Sequence, residues 1–171
     1  MRVLGIDPGL NVCGYACIEA QSGTDRLLEA GVFRTRANTP IELRLNQIAS
    51  DIDSILQKFL PDIVAVEELY SHYEHPRTSI LMGHARGVIL QRCVEAEAKI
   101  ESFSATRIKK SVTGNGRASK EQVQKSIKTI LGLQEVPEPN DVADAIAVSL
   151  CCVNSLKFAC VNTRLMQKSL K

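Results

Sequence analysis

The sequence lacks the spacing of cysteine and histidine that a structural zinc site requires. No two cysteines form a Cys-x-x-Cys pair, and none lies at zinc-finger spacing from His72, His75 or His84. Isolated thiols of this kind are expected to be buried and reduced, without a redox role. The cysteines are Cys13, Cys17, Cys93, Cys151, Cys152 and Cys160.

The sequence also lacks a run of about 18 consecutive apolar residues, the length that crosses a bilayer. Met1 and Arg2 lead directly into a short strand-like segment, so the amino end does not resemble a signal peptide. We therefore expect a cytoplasmic protein without a membrane partner.

The chain has the length and composition of one globular domain, with 171 residues of which 44% are hydrophobic and 23% charged. We place this domain at residues 1–156. Residues 157–171 form a polar, slightly basic tail to which the sequence assigns no role.

Excess positive charge is confined to one segment. The net charge is only +2, but residues 107–128 carry +6, which leaves the remainder of the chain at −4. A concentrated basic segment is typical of a surface that contacts a phosphate backbone. A solvated helix face would explain the same charges equally well. The basic residues of the segment are Arg107, Lys109, Lys110, Arg117, Lys120, Lys125 and Lys128, against the single acid Glu121.

Short apolar runs separated by polar turns open the sequence. Residues 3–6 end at the turn Asp7-Pro8-Gly9, residues 14–18 are rich in strand formers, and residues 27–35 follow a second polar turn. Three consecutive short strands with tight connections predict an antiparallel meander.

Helical spacing then alternates with strand-like runs. A helix is predicted from Ile41 to Phe59, with Thr39 as its cap, Pro40 as its first helical residue and Pro61 as its end. Residues 62–68 form a short run rich in branched side chains, which predicts a parallel strand buried on both faces. Further predicted elements are a helix over 78–98, a strand over 100–103, a helix between a Ser119–Gln122 capping box and Gly132, and a helix over about 140–153. This order predicts an α/β fold with a mixed sheet.

Four acidic residues lie in otherwise apolar runs, where an unpartnered carboxylate is costly. Asp7 and Glu67 end predicted strands, and the carboxyl ends of strands form the usual ligand crevice of an α/β sheet. Asp141 and Asp144 are three residues apart, so both lie on one face of the last helix. The four meet if the first and fourth strands are neighbours, which is the arrangement that we infer.

Several carboxylates at one place predict a divalent metal site. Oxygen ligands alone suit Mg²⁺ or Mn²⁺ rather than zinc. Two such ions about 4 Å apart would support phosphodiester hydrolysis. Each acid alone has an ordinary explanation, because helix amino ends and turns both favour aspartate.

The acids and the basic segment belong to short motifs in a fixed order. They are GIDPG at 5–9 followed by GY at 14–15, AVE at 65–67, GHARGV at 83–88, Lys109 ahead of VTGNG at 112–116, ASK at 118–120 and DVADA at 141–145. Over about residues 1–153 this series resembles the bacterial RuvC family of Holliday-junction resolvases. The opening motif is also similar to actin-like and sugar-kinase ATPases, but 171 residues leave no space for their second lobe.

The resemblance implies an RNase H-like α/β fold, with a mixed five-stranded sheet of an antiparallel meander plus parallel strands, flanked by helices. It implies a homodimer that binds a four-way DNA junction and nicks two strands symmetrically in recombination and repair. The helix over 78–98 would form part of the dimer interface. A branch-migration helicase complex is the implied partner.

By position, the four acids correspond to the family's catalytic Mg²⁺ ligands, with two ions per subunit and Mn²⁺ as a substitute. Glu68 follows Glu67, and since successive strand side chains face opposite ways, the resemblance favours Glu67 alone. Lys109 and Lys120 match catalytic basic residues that hold phosphate and stabilise developing charge. Residues implied to bind DNA are Tyr70, Arg86, Lys110 and Arg117.

Tyr70 falls where the family carries an aromatic residue that stacks on bases at the junction centre. A half-buried core tyrosine is the alternative. Two other functions also stay open: an RNase H-like nuclease acting on another nucleic acid, and a junction-binding module without catalysis. The intact set of acids counts against the second, whereas Lys109, Lys120 and Tyr70 favour the junction over other nucleic acids.

Overall fold

The structure, a computed structural model, describes residues 1–21, 23–69 and 76–168, with side chains as far as residue 159. Five strands form one mixed sheet in the order β3-β2-β1-β4-β5. The pairs β1–β2 and β2–β3 are antiparallel, whereas β1–β4 and β4–β5 are parallel. The predicted meander and the predicted neighbourhood of the first and fourth strands are both confirmed. The strands are β1 Arg2–Asp7, β2 Val12–Glu19, β3 Arg26–Arg34, β4 Ile63–Glu67 and β5 Lys99–Phe103.

Helices cover both faces of the sheet, and each face has its own apolar core. Strand residues such as Leu4 and Val66 pack with α1 and α2, while Val3 and Ala65 pack with α3, α4 and α5. This alternation follows from the two-residue period of a strand. The helices are α1 Ile41–Phe59, α2 Pro76–Glu95, α3 Ala105–Thr113, α4 Lys120–Leu131 and α5 Asn140–Lys168.

The central helix α5 lies unusually close to β1 and β2. A Cβ added at Gly5 would overlap Ser149 and the Ala145 carbonyl, and one at Gly14 would overlap the Asp141 carbonyl. The Ser149 hydroxyl contacts the carbonyl oxygen of Ala16 at 2.9 Å, which ties the helix to β2. The two glycines therefore allow a helix-to-sheet spacing that any side chain would prevent.

Within the described part of the chain, Asn140–Ala159 is long and apolar enough to cross a membrane by length and composition, with a mean hydropathy of 1.5. However, 61% of that apolar window is buried inside the protein. The same property belongs to the central helix of a packed core, which is the position of α5 here.

The helices differ from the sequence predictions at several points, and α2 ends at Glu95 rather than at residue 98. Helix α3 was not predicted, because its nine residues bury only Ile108 and Val112. Pro40 is the N-cap residue of α1 and not its first helical residue, and no side chain caps this end. Helix α5 runs to Lys168 instead of ending near position 153, so it continues across the predicted domain boundary at residue 156.

The capping box and the thiols follow the sequence predictions. The Ser119 hydroxyl accepts from the Gln122 backbone N–H, and the Gln122 side chain accepts from the Ser119 backbone N–H. Cys13, Cys17, Cys93, Cys151 and Cys152 are all free and buried, and the side chain of Cys160 lies outside the described part of the chain.

Candidate metal centre and nucleic-acid interface

Asp7 and Glu67 are placed side by side by the parallel pairing of β1 with β4. The register pairs Gly5 with Ala65 and Ile6 with Val66, so each acid follows the last pair on its own strand. Gly5 and Ala65 face α5, and side chains alternate along a strand. Asp7 and Glu67 therefore project from the same face of the sheet, toward α5.

The same alternation distinguishes Glu67 from Glu68. Glu68 is exposed, and its backbone N–H donates to the Phe103 carbonyl at 2.9 Å. Glu67 is half-buried and lies near Asp144, Lys109 and Lys120, whose charges all act on it. The geometry thus provides one acid, not two, at the end of β4.

Asp141 and Asp144 reach this face because α5 begins directly over β2. The contact between Gly14 and the first turn of α5 involves the Asp141 backbone itself, and Gly14 is the register partner of Asp7. A small residue opposite Asp7 is therefore what lets the helix bring its two acids close to the strand end.

The four acids interact electrostatically in a desolvated place. Burial raises the pKa of Asp7, and the negative charges of Glu67, Asp144 and Asp141 raise it further, to about 8, against the opposing charge of Lys120. Burial and the charge of Asp144 raise the pKa of Glu67 to about 7, against the opposing influence of Lys109 and Lys120. Buried carboxylates that repel one another are stabilised by a cation placed between them.

We call the four acids Asp7, Glu67, Asp141 and Asp144 the carboxylate cluster. Two lysines supply positive charge at its edge. Lys120, the first residue of α4, forms an ion pair with Asp144 at 3.1 Å between Nζ and Oδ2. Burial acts to lower the pKa of Lys120, but the hydrogen bond and the charge of Asp144 raise it overall. Lys109 on α3 is half-buried and acts on Glu67 through its charge.

The oxygen donors of the carboxylate cluster suit a hard divalent cation, but the four side chains are not arranged to ligate one. Among the described residues, no three His, Cys, Asp or Glu side chains stand close enough to bind one metal ion. The ion pair with Lys120 also turns Asp144 toward an ammonium group. Oxygen donors, mutual repulsion and burial all fit Mg²⁺ or Mn²⁺, and ligation would require the side chains to move inward.

The residues predicted to bind DNA differ in their exposure and in their contacts. Lys110 is exposed on α3 and follows Lys109, and Arg117 is exposed on the loop before α4, three residues ahead of Lys120. Tyr70 lies outside the described residues. Arg86 is half-buried, and its guanidinium donates to the Glu67 backbone carbonyl and to the Ser102 hydroxyl. The DNA-binding roles of these residues stay predictions.

Arg44 is a feature of the site that the sequence predictions do not include. It is buried, and its guanidinium donates to the Leu10 carbonyl at 3.1 Å and to Thr35 Oγ1 at 2.8 Å, with a further bond to Asn11. These bonds fix the turn that follows Asp7. The signal in the sequence is an arginine within the apolar stripe of α1, three residues after Ile41 and four before Ile48.

A cavity of about 440 Å³ adjoins the carboxylate cluster. Its lining includes Asp7 and Asp141 together with Arg44, Leu81 and Met82. Asp7 and Asp141 are therefore accessible from an open cleft, as a site for a large substrate must be.

Comparisons with known proteins identify relatives over nearly the whole chain. The family model for "Crossover junction endodeoxyribonuclease RuvC" matches residues 3–152. A protein of that name from Rhodopirellula baltica is 49% identical over 149 residues, which are 87% of this chain and 84% of the relative. Another, from Caldicellulosiruptor saccharolyticus, is 41% identical over 156 residues, 91% of this chain and 93% of the relative.

Solved structures give the same result for the fold. The structure of Thermus thermophilus RuvC has a TM-score of 0.85 at 31% identity and covers 93% of this chain and 97% of its own. A second structure, "T. thermophilus RuvC in complex with Holliday junction substrate", has a TM-score of 0.84 at 28% identity, with coverages of 92% and 96%.

Proposed function

This chain belongs to the RuvC family of crossover junction endodeoxyribonucleases, and we propose the residues through which it acts as a Holliday-junction resolvase. The RNase H-like fold and the hydrolysis of DNA follow from that membership. The observation that carries the assignment of residues is the carboxylate cluster, in which desolvation and mutual repulsion raise the pKa values of Asp7 and Glu67.

Family membership makes the protein a divalent-metal-dependent nuclease. We propose that the metal is Mg²⁺, with two ions per subunit and Mn²⁺ as a substitute, held by Asp7, Glu67, Asp141 and Asp144. When bound, such ions activate a water molecule and stabilise the leaving oxygen of the phosphodiester. Asp7 and Glu67 would supply ligands from two strand ends, and the two aspartates of α5 would complete the set.

Lys120 and Lys109 are proposed to bind the scissile phosphate. Lys120 already neutralises Asp144 through their ion pair, so a phosphate and a metal ion arriving together would each take one partner of that pair. Lys109 lies on the Glu67 side of the cluster. Two ammonium groups on either side of the reacting phosphate would stabilise the charge that develops during hydrolysis.

The remaining contacts are proposed on the same basis. Lys110 and Arg117 extend the positive surface along the DNA backbone, which fits their exposure beside the cluster lysines. Tyr70 would stack on bases at the junction centre. Symmetric nicking of two strands requires two sites related by a two-fold axis, so we propose a homodimer with α2 in its interface.

Two further proposals follow from family resemblance. We propose that the dimer works beside a branch-migration helicase and that it acts in the cytoplasm. Residues 1–156 are proposed as the nuclease unit, and no role is assigned to residues 157–171.

Cleavage of a synthetic four-way junction with mapped nick positions tests this function. We expect paired nicks at symmetric positions with Mg²⁺, none with Ca²⁺, and no cleavage by Asp7→Asn although that variant still binds the junction. Linear duplex and RNA serve as competitors. Equal cleavage of linear DNA or RNA would contradict junction selectivity, and normal cleavage by Asp7→Asn would contradict the assignment of the acids.

A further inference from the structure

Arg86 makes two hydrogen bonds that join the ends of two strands at the candidate metal centre. Its Nε–H donates to the backbone carbonyl of Glu67 at 3.2 Å, and its Nη2 donates to Ser102 Oγ at 3.0 Å. Arg86 belongs to α2, which packs on the sheet face opposite α5. One guanidinium therefore bridges β4 and β5 from behind the carboxylate cluster.

The position of this bridge matters because β4 loses its pairing with β1 just before Glu67. The pairing with β1 ends at Ile6↔Val66, so Glu67 lies one residue beyond that ladder. On the other side, the pairing with β5 ends at Glu67↔Phe103, and the Glu68 backbone N–H makes one further bond to the Phe103 carbonyl. The direction of the Glu67 side chain depends on its backbone, and the bond from Arg86 acts on that backbone directly.

We infer that Arg86 is a positioning residue that holds Glu67 in place for metal binding and acts on the reaction through this acid rather than through DNA. The inference rests on the proposed role of Glu67. Arginine suits the task because its planar fork can donate to two acceptors at once, whereas a lysine ammonium at the same place has no such fork. Small errors in the placement of a reacting group reduce rates by about a hundredfold.

Substitutions that keep or remove the charge of Arg86 distinguish a positioning role from direct contact with DNA. Arg86→Lys keeps the positive charge but loses the fork, and Arg86→Met keeps the apolar stem alone. We expect both variants to bind a four-way junction within about twofold of wild type, with an unchanged salt dependence. We expect both to lower the single-turnover cleavage rate at saturating enzyme by about 10- to 100-fold and to raise the Mg²⁺ concentration needed for half-maximal rate.

A phosphate contact predicts a different pattern. In that case Arg86→Met would weaken junction binding and reduce the salt slope by about 1, while Arg86→Lys would retain both binding and rate. Either of these results, or a normal Mg²⁺ dependence in both variants, would overturn the inference. Wild-type protein that failed to cut the junction with Mg²⁺ would instead contradict the proposed function itself.

Two further variants guard against loss of folding as an explanation. Ser102→Ala removes only the second acceptor, and we expect it to lower the cleavage rate severalfold with junction binding unchanged. Arg92→Lys alters another arginine of α2, which pairs with Asp53 at 2.7 Å, far along the helix from Glu67. We expect its cleavage rate to match wild type. A wild-type rate in Ser102→Ala would contradict the proposed bridge.

Discussion

Replacing Asp7 with asparagine should stabilise the metal-free protein while removing its activity. The pKa of Asp7 rises from 3.8 to about 8 on folding, so the folded state takes up a proton that the unfolded state releases at neutral pH. Below pH 3.8 the carboxyl is neutral in both states and costs nothing. As pH rises from there toward 8, wild type loses stability at about 1.4 kcal/mol per pH unit from this one group.

The magnitude at pH 7 follows from the same shift. Full linkage would cost wild type about 4 kcal/mol at this pH. Asp7 is not fully buried, so we expect about half of this, or roughly 2 kcal/mol, as the gain in the free energy of unfolding of Asp7→Asn. The gain should vanish near pH 4, because asparagine and a protonated aspartate are both neutral.

Urea unfolding in the presence of a chelator, measured between pH 4 and 8.5, is the appropriate assay. Glu42→Gln is the matched control, since Glu42 is an exposed acid in the first turn of α1 and should change stability by less than about 1 kcal/mol at every pH. Parallel pH profiles for wild type and Asp7→Asn would refute the claim that Asp7 is a desolvated member of a carboxylate cluster. Excess Mg²⁺ should stabilise wild type and not the variant.

Two other predictions concern the packing and the charges of the site. Gly14→Ala should destabilise the protein by about 1–3 kcal/mol in thermal unfolding, because its Cβ would overlap the Asp141 carbonyl. The control Gly23→Ala places its Cβ in open space and should have little effect. Equal stabilities of the two variants would contradict the close packing of α5. Lys120→Met should increase Mn²⁺ affinity without DNA by removing the ion pair with Asp144, yet slow junction cleavage by about 10²- to 10³-fold. Lys109 forms no ion pair within the part of the chain that the structure describes, so Lys109→Met should raise metal affinity less. The reverse order would contradict this role of Lys120.

Features that depend only on neighbouring residues along the chain could be predicted from the sequence. Asp7 and Glu67 stand at the ends of apolar runs whose strand character is evident, and the capping box at Ser119 is a local signal. The pairing of β1 with β4, on which the convergence of the acids depends, is a long-range contact. This pairing could be inferred but not demonstrated from the sequence, because residue spacing along a chain does not determine which strands are neighbours.

What could not be predicted depends on contacts between distant elements. Helix α3 has only nine residues and buries only two of them, so the segment is too short for a helical pattern to be identified with assurance, although it carries Lys109. The burial of Arg44 and the bridge from Arg86 to Glu67 require α1 and α2 to be placed on the sheet. A basic side chain read from sequence alone is expected at the surface or on DNA, and these two instead bond to backbone carbonyls beside the acids.

Metal binding to the DNA-free protein tests the central claim most directly. Mn²⁺ binding, followed by electron paramagnetic resonance, should be measured for wild type, Asp7→Asn and Glu67→Gln at one pH, with Glu68→Gln as the matched control beside Glu67. We expect wild type and Glu68→Gln to bind Mn²⁺ with equal affinity, and Asp7→Asn and Glu67→Gln to bind at least tenfold more weakly. Undiminished Mn²⁺ affinity in Asp7→Asn and Glu67→Gln would contradict the assignment of these carboxylates as the metal centre.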